Sequence, residues 1–353
     1  MKWRGWEKVS LEVSDPTVPS GRLPVEAIAP VIVSASRSTD IPAFYGDWFQ
    51  SRLKEGYVRW KSPFGGRPVF VSFARTRLFV FWSKNPAPFL PFLDTLDRLG
   101  YGYYFLYTLN DYDAEHLEPN VPLLDERINT FLRLSRRIGP GKVVWRFDPL
   151  ILTETVTVSG LLDRVERIGN RIAPFTKRMV FSFVDIEKYT KVRRNLDAAG
   201  CRGAREFSDA EVAEFCEGLR RLNERWGLTL SACAEGRDLS QYGIGRGQCI
   251  SYDLMTTEFA HDKDLMAFLR PEGQQPLDGS SPDPSRRLKD PGQRNTCRCI
   301  VSKDIGQYST CMHLCSYCYA NTSAATVRRQ YSRYLADRER GIFHDTIVGY
   351  GNG

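Results

Sequence analysis

Short apolar and aromatic segments alternate along the chain with longer segments in which apolar residues recur at helical spacing. The short segments are rich in β-branched and aromatic residues, which is typical of strands buried on both faces. A repeated strand–helix order predicts a parallel sheet covered by helices. The predicted strands are residues 31–36, 69–73, 78–82, 103–108, 143–147, 179–183 and 228–232.

Two intervening segments have the clearest helical pattern. Residues 123–139 and 209–226 each place apolar side chains on one face and charged side chains on the other. Asp209 is expected to cap the second helix at its N-terminus, and Gly227 is expected to end it. Cys216 falls on the apolar face of that helix, so we predict that it is a core residue rather than a ligand.

Six or seven strand–helix repeats within about 200 residues favour a full or partial TIM-type β/α barrel over an open sheet. A Pro-, Gly- and Ser-rich segment then interrupts the alternation, and a cysteine-rich segment follows it. We therefore predict five regions: an N-terminal lead-in (1–29), a β/α barrel (30–270), a flexible linker (271–293), a cluster-binding segment (294–323) and a helical tail (324–353).

Polar side chains follow the predicted strands, at the ends where such a barrel places its chemistry. Arg37 and Asp40 follow the first strand, and Arg146 and Asp148 follow a central one. Each pair is either a structural ion pair or a catalytic clamp in which the arginine binds a carboxylate or phosphate bidentately. The strand-end groups that could bind ribose hydroxyls or an amine of a cofactor are Lys84, Asn110, Asp185 and Glu235.

The formal net charge of +7 changes this picture only slightly. It is compatible with a nucleotide or nucleic acid as the substrate, and also with a solvated, mildly basic surface. The sequence has no recognisable nucleic-acid-binding motif, no secretory signal pattern and no apolar run of membrane-spanning length. We therefore expect a cytoplasmic protein without membrane contact.

The nine cysteines are unevenly distributed. An odd number without a secretory signal argues against a disulfide framework, and clustered thiols in a reducing compartment suggest a metal site. Five of them lie near the C-terminus, namely Cys297, Cys299, Cys311, Cys315 and Cys318. The other four are scattered, namely Cys201, Cys216, Cys233 and Cys249.

Cys311, Cys315 and Cys318 have the spacing C-x3-C-x2-C. Three thiolates at this spacing can each ligate a different iron of one 4Fe–4S cluster. The fourth iron would then be open, and S-adenosylmethionine (SAM) chelates such an iron through its amino and carboxylate groups. An electron from the reduced cluster cleaves the sulfonium C–S bond and yields a 5′-deoxyadenosyl radical, which abstracts hydrogen.

At this motif the sequence resembles the radical SAM superfamily, whose signature C-x3-C-x-aromatic-C is matched with Tyr317 in the aromatic position. The resemblance implies that Tyr317 packs near the adenine of SAM and that a reductant such as flavodoxin or ferredoxin supplies the electron. No Gly-Gly-Glu stands at the usual place after the motif, so other residues must hold the methionyl amine. Residues 319–321 are distantly similar to the spore photoproduct lyase branch.

Over roughly residues 31–321 the chain looks like a family of uncharacterised bacterial proteins in which the motif follows the barrel instead of preceding it. This order implies that the C-terminal segment folds back over the barrel mouth. The stretches that carry the resemblance are 34–45, 81–86, 145–149, 233–235 and 304–306.

Other interpretations of the cysteines are open. Cys297 or Cys299 could ligate the fourth iron and give a closed electron-transfer or structural cluster, or they could bind a second metal or be free thiols. Cys249 shares this ambiguity. Zinc could instead be bound by Cys297 and Cys299 together with Cys315 and Cys318, in a barrel that binds a nucleotide or nucleic acid. Cys233 is either a small buried residue or a hydrogen-atom donor.

Overall fold

The computed structural model describes residues 5–14, 20–187, 190–270 and 287–349. Its strands are β1 (Glu7–Ser14), β2 (Arg22–Ala29), β3 (Ile32–Ala35), β4 (Tyr57–Trp60), β5 (Val69–Ser72), β6 (Leu78–Ser83), β7 (Gly102–Thr108), β8 (Val143–Leu150), β9 (Arg178–Phe183), β10 (Thr229–Ala232), β11 (Ile244–Arg246) and β12 (Lys303–Asp304). Its α-helices are α1 (Ile41–Phe44), α2 (Gly46–Glu55), α3 (Leu93–Arg98), α4 (Leu124–Ile138), α5 (Val158–Ile172), α6 (Thr190–Ala198), α7 (Asp209–Trp226), α8 (Tyr252–Glu258), α9 (Lys263–Leu269) and α10 (Ala324–Glu339).

Most of these strands form one eight-stranded sheet, so the protein is a mixed α/β fold. The strand order is β11-β10-β9-β8-β7-β6-β3-β12, and every neighbouring pair is parallel. β11 and β12 are the first and last strands of this order. The carboxyl ends of all eight strands therefore lie along one edge of the sheet.

A second, smaller sheet has the order β1-β2-β5-β4. It corrects one expectation, because the predicted strand 69–73 lies here as β5 rather than in the parallel sheet. β5 pairs with β4 in antiparallel and with β2 in parallel orientation. An apolar pattern identifies a strand but not the sheet that it joins. The other six predicted strands lie in the large sheet, with ends that differ by a few residues.

The two long predicted helices are confirmed as α4 and α7. The cap of α7 is corrected by one residue, because Ser208 rather than Asp209 accepts the bond from the Glu211 amide and completes a capping box. Gly227 ends this helix in the left-handed conformation, as expected. Cys216 is fully buried in the core.

Each face of the large sheet is covered by a separate apolar cluster, because successive strand residues point to opposite faces. Phe79 and Phe81 of β6 pack with residues from the helices α1–α5 and α7. Leu78 and Val80 point to the opposite face, where they pack with α8, α9 and residues 288–301. We call this second side of the sheet the α8 face.

β12 brings the cysteine motif to the carboxyl edge. Lys303 and Asp304 pair with Val33 and Ser34 of β3, although about 270 residues separate the two strands. The Ile305 amide extends this pairing by donating to Ser34 O at 3.1 Å. Part of the predicted linker, 271–286, lies outside the described residues, whereas Leu288 is buried in the cluster on the α8 face.

The described part of the chain contains no helix that is both long enough and apolar enough to cross a membrane.

Candidate functional site

The predicted cluster ligands Cys311, Cys315 and Cys318 lie on one loop after β12, and all three are partly buried. The Cys318 amide donates to Cys315 O at 3.0 Å, and Leu314 has a positive φ of 55°, so the loop is tightly turned. Asn321 Nδ2 donates to Cys311 O at 2.9 Å. These bonds keep the loop that carries the three thiols compact.

Burial and nearby charges shift the pKa values of the motif thiols. Burial, together with the charges of Asp40 and Cys318, raises the pKa of the Cys311 thiol to about 12. Burial also raises the pKa of Cys318, and hydrogen bonds from the Ala320 and Asn321 backbone oppose that rise. Backbone N–H groups directed at sulfur are a means by which proteins stabilise cluster thiolates.

Asp40 connects the loop to the sheet. Its Oδ1 accepts from the Ala43 amide at 3.0 Å and caps α1, and its Oδ2 accepts from the Lys84 amide at 2.7 Å. The same Oδ2 lies 2.7 Å from Nε2 of His313, which is inside the cysteine motif. Asp40 and His313 are both buried. Asp40 therefore orients the loop instead of pairing with Arg37.

Further contacts hold the segment before Cys311. Tyr45 donates through its hydroxyl to Thr310 O at 2.7 Å, and the Thr39 and Thr310 hydroxyls lie 2.7 Å apart. At Gly306 the chain passes so close to β3 that an added Cβ would lie 2.6 Å from Ser36 Cβ. Only glycine fits there without a shift of the neighbouring backbone. The start of the loop is consequently fixed against residues 36–45.

Three predicted cofactor-binding residues meet beside the motif. The Lys84 ammonium donates to the Tyr317 hydroxyl at 2.8 Å, and Asn110 Nδ2 donates to the same oxygen at 3.1 Å. Tyr317 in turn donates to the carboxylate of Glu118. Lys84 Nζ and Asn110 Nδ2 also donate to Glu118 Oε1, at 2.7 Å and 3.1 Å. We call these four residues the Tyr317 network.

Glu118 is the buried anion at the centre of this network. Burial alone would raise its pKa, but the charges of Lys84 and Arg127 and the hydrogen bonds from Lys84 and Tyr317 lower the pKa of Glu118 to about 2. Arg127 Nη1 lies 3.4 Å from Glu118 Oε2. Sequence reasoning missed Glu118 and Arg127, since neither stands at a strand end nor in a short motif.

The predicted catalytic residues Arg146 and Asp148 lie next to the Tyr317 network. Asn110 Nδ2 donates to Asp148 O at 3.0 Å, and the Asp148 amide donates to Asn110 Oδ1 at 2.8 Å. Arg146 forms an ion pair with Asp148, and Ser182 donates to the same carboxylate. In the described ranges Arg146 Nε has no hydrogen-bond partner, although the residue is buried. Burial lowers the pKa of Arg146, yet the nearby acidic groups, Asp148 and then Cys249, raise it above its ordinary value.

Arg37 has different partners from those its spacing suggested. Its amide donates to Asp304 Oδ2 at 2.8 Å, and its guanidinium donates to Ser302 Oγ at 3.3 Å and lies 5.1 Å from the centre of the Trp82 ring. No ion pair between Arg37 and Asp40 is found in the part of the chain that the structure describes. Arg37 therefore links β3 to the segment around β12.

Asp185 and Glu235 are not part of the Tyr317 network. Asp185 Oδ2 lies 3.0 Å from Arg294 Nη1, at the wall of an open cavity of about 450 Å³ that residues 293–296 and Ala234 also line. Glu235 pairs with Arg237 at 3.3 Å and accepts from the Arg237 amide. Both carboxylates are thus already engaged with arginines.

The other two C-terminal cysteines, Cys297 and Cys299, lie in a separate group with Cys233 and Cys249. The Sγ atoms of Cys233 and Cys249 are 3.6 Å apart, and the amides of Cys249 and Ile250 donate to Cys299 Sγ at 3.2 and 3.4 Å. Cys297 and Cys299 are buried on the α8 face. We call Cys233, Cys249, Cys297 and Cys299 the four-cysteine group. Cys297 and Cys299 thus lie in the apolar cluster on the α8 face, whereas Cys315 and Cys318 lie on the loop after β12.

Comparison with known proteins gives a family. A family described as "Domain of unknown function (DUF1848)" matches residues 32–320. The chain belongs to this family. The matched range runs from β3 to just beyond Cys318 and therefore includes the large sheet and both cysteine groups. No curated protein and no solved structure matches the chain.

Proposed function

We propose that this member of the DUF1848 family is a radical SAM-type enzyme. Cys311, Cys315 and Cys318 would hold a 4Fe–4S cluster whose fourth iron is left for SAM. The observation that carries the proposal is that three thiols of one loop lie beside a buried polar network, in which Tyr317 is bound to Lys84 and Glu118.

The cluster, once reduced by a one-electron donor such as flavodoxin or ferredoxin, would supply the electron that cleaves SAM and generates the 5′-deoxyadenosyl radical.

The number and spacing of the cysteines favour a cluster over a single zinc ion at this loop. In a cluster each cysteine ligates a different iron, and the spacing C-x3-C-x2-C lets one loop provide three such ligands. Zinc commonly takes four ligands, and Cys297 and Cys299, the two further thiols that such a site would use, are buried on the α8 face.

The chain's own residues would prepare the site in two ways. Burial lowers the pKa of Lys84, but the charges of Glu118 and Cys315 raise it above its ordinary value, so Lys84 is positively charged beside the loop. A fixed positive charge stabilises thiolates and an anionic cluster. The network also fixes the Tyr317 hydroxyl, and with it the ring that the family resemblance associates with adenine.

We further propose that the eight-stranded sheet is a partial β/α barrel, with the cysteine loop folded over its mouth. The eight parallel strands, and the packing of α1–α5 and α7 on one face of them, support this arrangement. Arg37 and Arg146 would then line the mouth, where a guanidinium can bind the carboxylate of SAM or a substrate phosphate. A nucleotide or nucleic-acid substrate and a cytoplasmic location stay predictions.

Metal content and SAM cleavage test the proposal together. The chain is reconstituted anaerobically with iron and sulfide, reduced with dithionite and incubated with SAM. We expect about four irons per chain and the formation of 5′-deoxyadenosine. The variant C311A/C315A/C318A should lose both, whereas C201A, which removes a cysteine buried elsewhere in the core, should keep both.

Each remaining outcome decides between the alternatives. A cluster that binds normally but never cleaves SAM would contradict the enzyme and favour a closed electron-transfer cluster. A wild-type protein that takes up zinc at this loop, but no iron or sulfide, would contradict the cluster itself.

A further inference from the structure

The four-cysteine group is not used by the proposed function, although side-chain contacts link its four thiols from three chain segments. Cys233 contacts Cys249, and Cys299 contacts both Cys249 and Cys297. Cys233 follows β10, Cys249 follows β11, and Cys297 and Cys299 precede β12. Cys201 and Cys216, by contrast, are separately buried in the helical core. The gathering of these four is thus a specific feature of the α8 face and not a general tendency of cysteines to be buried.

We propose that Cys233, Cys249, Cys297 and Cys299 form a second metal site, which binds one zinc ion through four thiolates. A tetrahedral set of sulfurs is a preferred environment for zinc. Zinc–sulfur bonds of about 2.3 Å place neighbouring sulfurs about 3.8 Å apart in this geometry. The 3.6 Å between the sulfurs of Cys233 and Cys249 is close to that spacing.

Backbone donors around Cys299 support the assignment independently. Its sulfur accepts two amide N–H groups, from Cys249 and Ile250, at 3.2 and 3.4 Å. Such hydrogen bonds orient a ligating sulfur and stabilise the negative charge that it carries when bound to metal. A thiol that served only as an apolar core residue would have no need of two backbone donors.

The segments that carry the four cysteines are firmly held. The Cys233 amide donates to Phe181 O at 2.7 Å, and the Asp290 amide donates to Cys299 O at 2.9 Å. Thr296 Oγ1 donates to Ala234 O at 2.9 Å, which ties the Cys297 segment directly to the Cys233 segment. A prearranged backbone leaves only side-chain rotation to be completed when the metal binds.

The charge of the site is also accommodated. Zinc bound by four thiolates has a net charge of −2, and the displaced thiol protons pass to solvent. Arg146 is buried on the same side of the sheet. Its Nη2 pairs with Asp148, and its Nε has no partner within the described ranges. A cation there offsets part of the charge of the site, which an apolar environment alone would make costly to bury.

The side chains would adjust on binding. As they stand in the described ranges, no three histidine, cysteine or carboxylate side chains surround a single ion position. Rotation about χ1 moves a sulfur by about 3 Å between staggered positions. We expect the Cys297 side chain to make this rotation when the ion binds, while the Cys299 sulfur keeps its two amide donors. The proposed ion would join β10, β11 and the segment leading into β12, and so would fix the start of the cysteine loop.

The test uses the C311A/C315A/C318A variant, so that a loop cluster cannot contribute. Purified from zinc-supplemented medium, it should contain about one zinc per chain and no acid-labile sulfide. The further changes C249S/C299S should lower the zinc content at least tenfold, whereas C216A should leave it unchanged. Folding of each variant is followed by circular dichroism.

A second measurement covers the case in which C249S/C299S does not fold. The triple variant is stripped of metal with a chelator and titrated with Co²⁺, which should give the absorption spectrum of tetrahedral tetrathiolate cobalt at about one equivalent. A folded triple variant with neither zinc nor this spectrum would overturn the proposal. Acid-labile sulfide in that variant would also overturn it, because the site would then hold a cluster. Neither result depends on whether the chain cleaves SAM.

Discussion

The imidazole Nε2 of His313 lies 2.7 Å from Asp40 Oδ2, and both side chains are almost completely buried. His313 stands between the first two cysteines of the motif, and Asp40 lies between β3 and α1, where it caps the helix. This contact joins the two parts of the site across more than 270 residues of sequence. The cysteine loop is therefore fixed to the sheet by a polar anchor and does not rest on it through apolar packing alone.

Removal of this anchor should loosen the loop. Asp40→Ala leaves His313 and the amides of Lys84 and Ala43 without their carboxylate, and each buried donor left unpaired costs about 1–3 kcal/mol. We expect a lower free energy of unfolding in urea and faster loss of reconstituted iron to a chelator. Asp47→Ala is the matched control, because Asp47 is paired with Arg338 at the exposed surface. Equal iron loss in the two variants would contradict the role of Asp40.

Glu118 should make the stability of the metal-free chain depend on acid pH. Its pKa of about 2 in the folded protein lies below the ordinary value of 4.5, so the unfolded chain binds more protons between these values. The stabilisation is complete above pH 4.5 and is lost as the pH falls towards 2. Glu118→Gln should flatten this part of the profile of unfolding free energy against pH.

At neutral pH the same variant should be less stable by about 3–5 kcal/mol, because Lys84 and Arg127 lose the charge between them. Glu154→Gln serves as the control, since Glu154 is exposed. If Glu118→Gln and wild type lost stability in parallel between pH 4.5 and 2, Glu118 would not be the buried anion described here.

Gly306 should be intolerant of any side chain. An alanine there would place its Cβ 2.6 Å from Ser36 Cβ and 2.7 Å from Ser38 Oγ, so β3 and the loop would have to separate. We expect Gly306→Ala to lose more than half of the iron that wild type binds, while circular dichroism still shows a folded chain. Gly160→Ala, whose Cβ would make an ordinary contact of 3.5 Å with Thr157, should bind iron normally.

The ring and the hydroxyl of Tyr317 should have separable effects. Tyr317→Phe removes the donor to Glu118 and should cost about 1 kcal/mol of stability, but it keeps the ring. Tyr317→Ala also removes the ring, and the loss of about 1 kcal/mol of aromatic contact should weaken SAM binding roughly fivefold. Urea unfolding measures the stability of each variant, and isothermal titration of the reconstituted protein with SAM measures the affinity of each. Equal SAM affinity in the two variants would show that the ring does not contact the cofactor.

The strand pattern predicted much of the sheet because a buried strand can be recognised from the apolar residues of its own short segment. The apolar runs that became β6, β7 and β8 are continuous, and their neighbours along the chain are also their neighbours in space. β12 could not be predicted in this way. It is two residues long, and its partner β3 lies near the other end of the chain.

The same distinction holds for the site. Cys311, Cys315 and Cys318 can be identified in the sequence by their spacing. Lys84 and Asn110 can be identified by their positions after predicted strands. Glu118 has no such signal, because its importance comes from partners that only the fold brings near. The four-cysteine group is similar, since the separation between Cys249 and Cys297 matches no short metal motif.

The most direct test of the whole account is electron paramagnetic resonance of the reduced, reconstituted chain, recorded with and without SAM. We predict the signal of a reduced 4Fe–4S cluster, with a line shape that changes when SAM is added because the cofactor binds the fourth iron. A cluster signal that SAM leaves unaltered would contradict an open iron. No cluster signal from fully reconstituted protein would contradict the site itself.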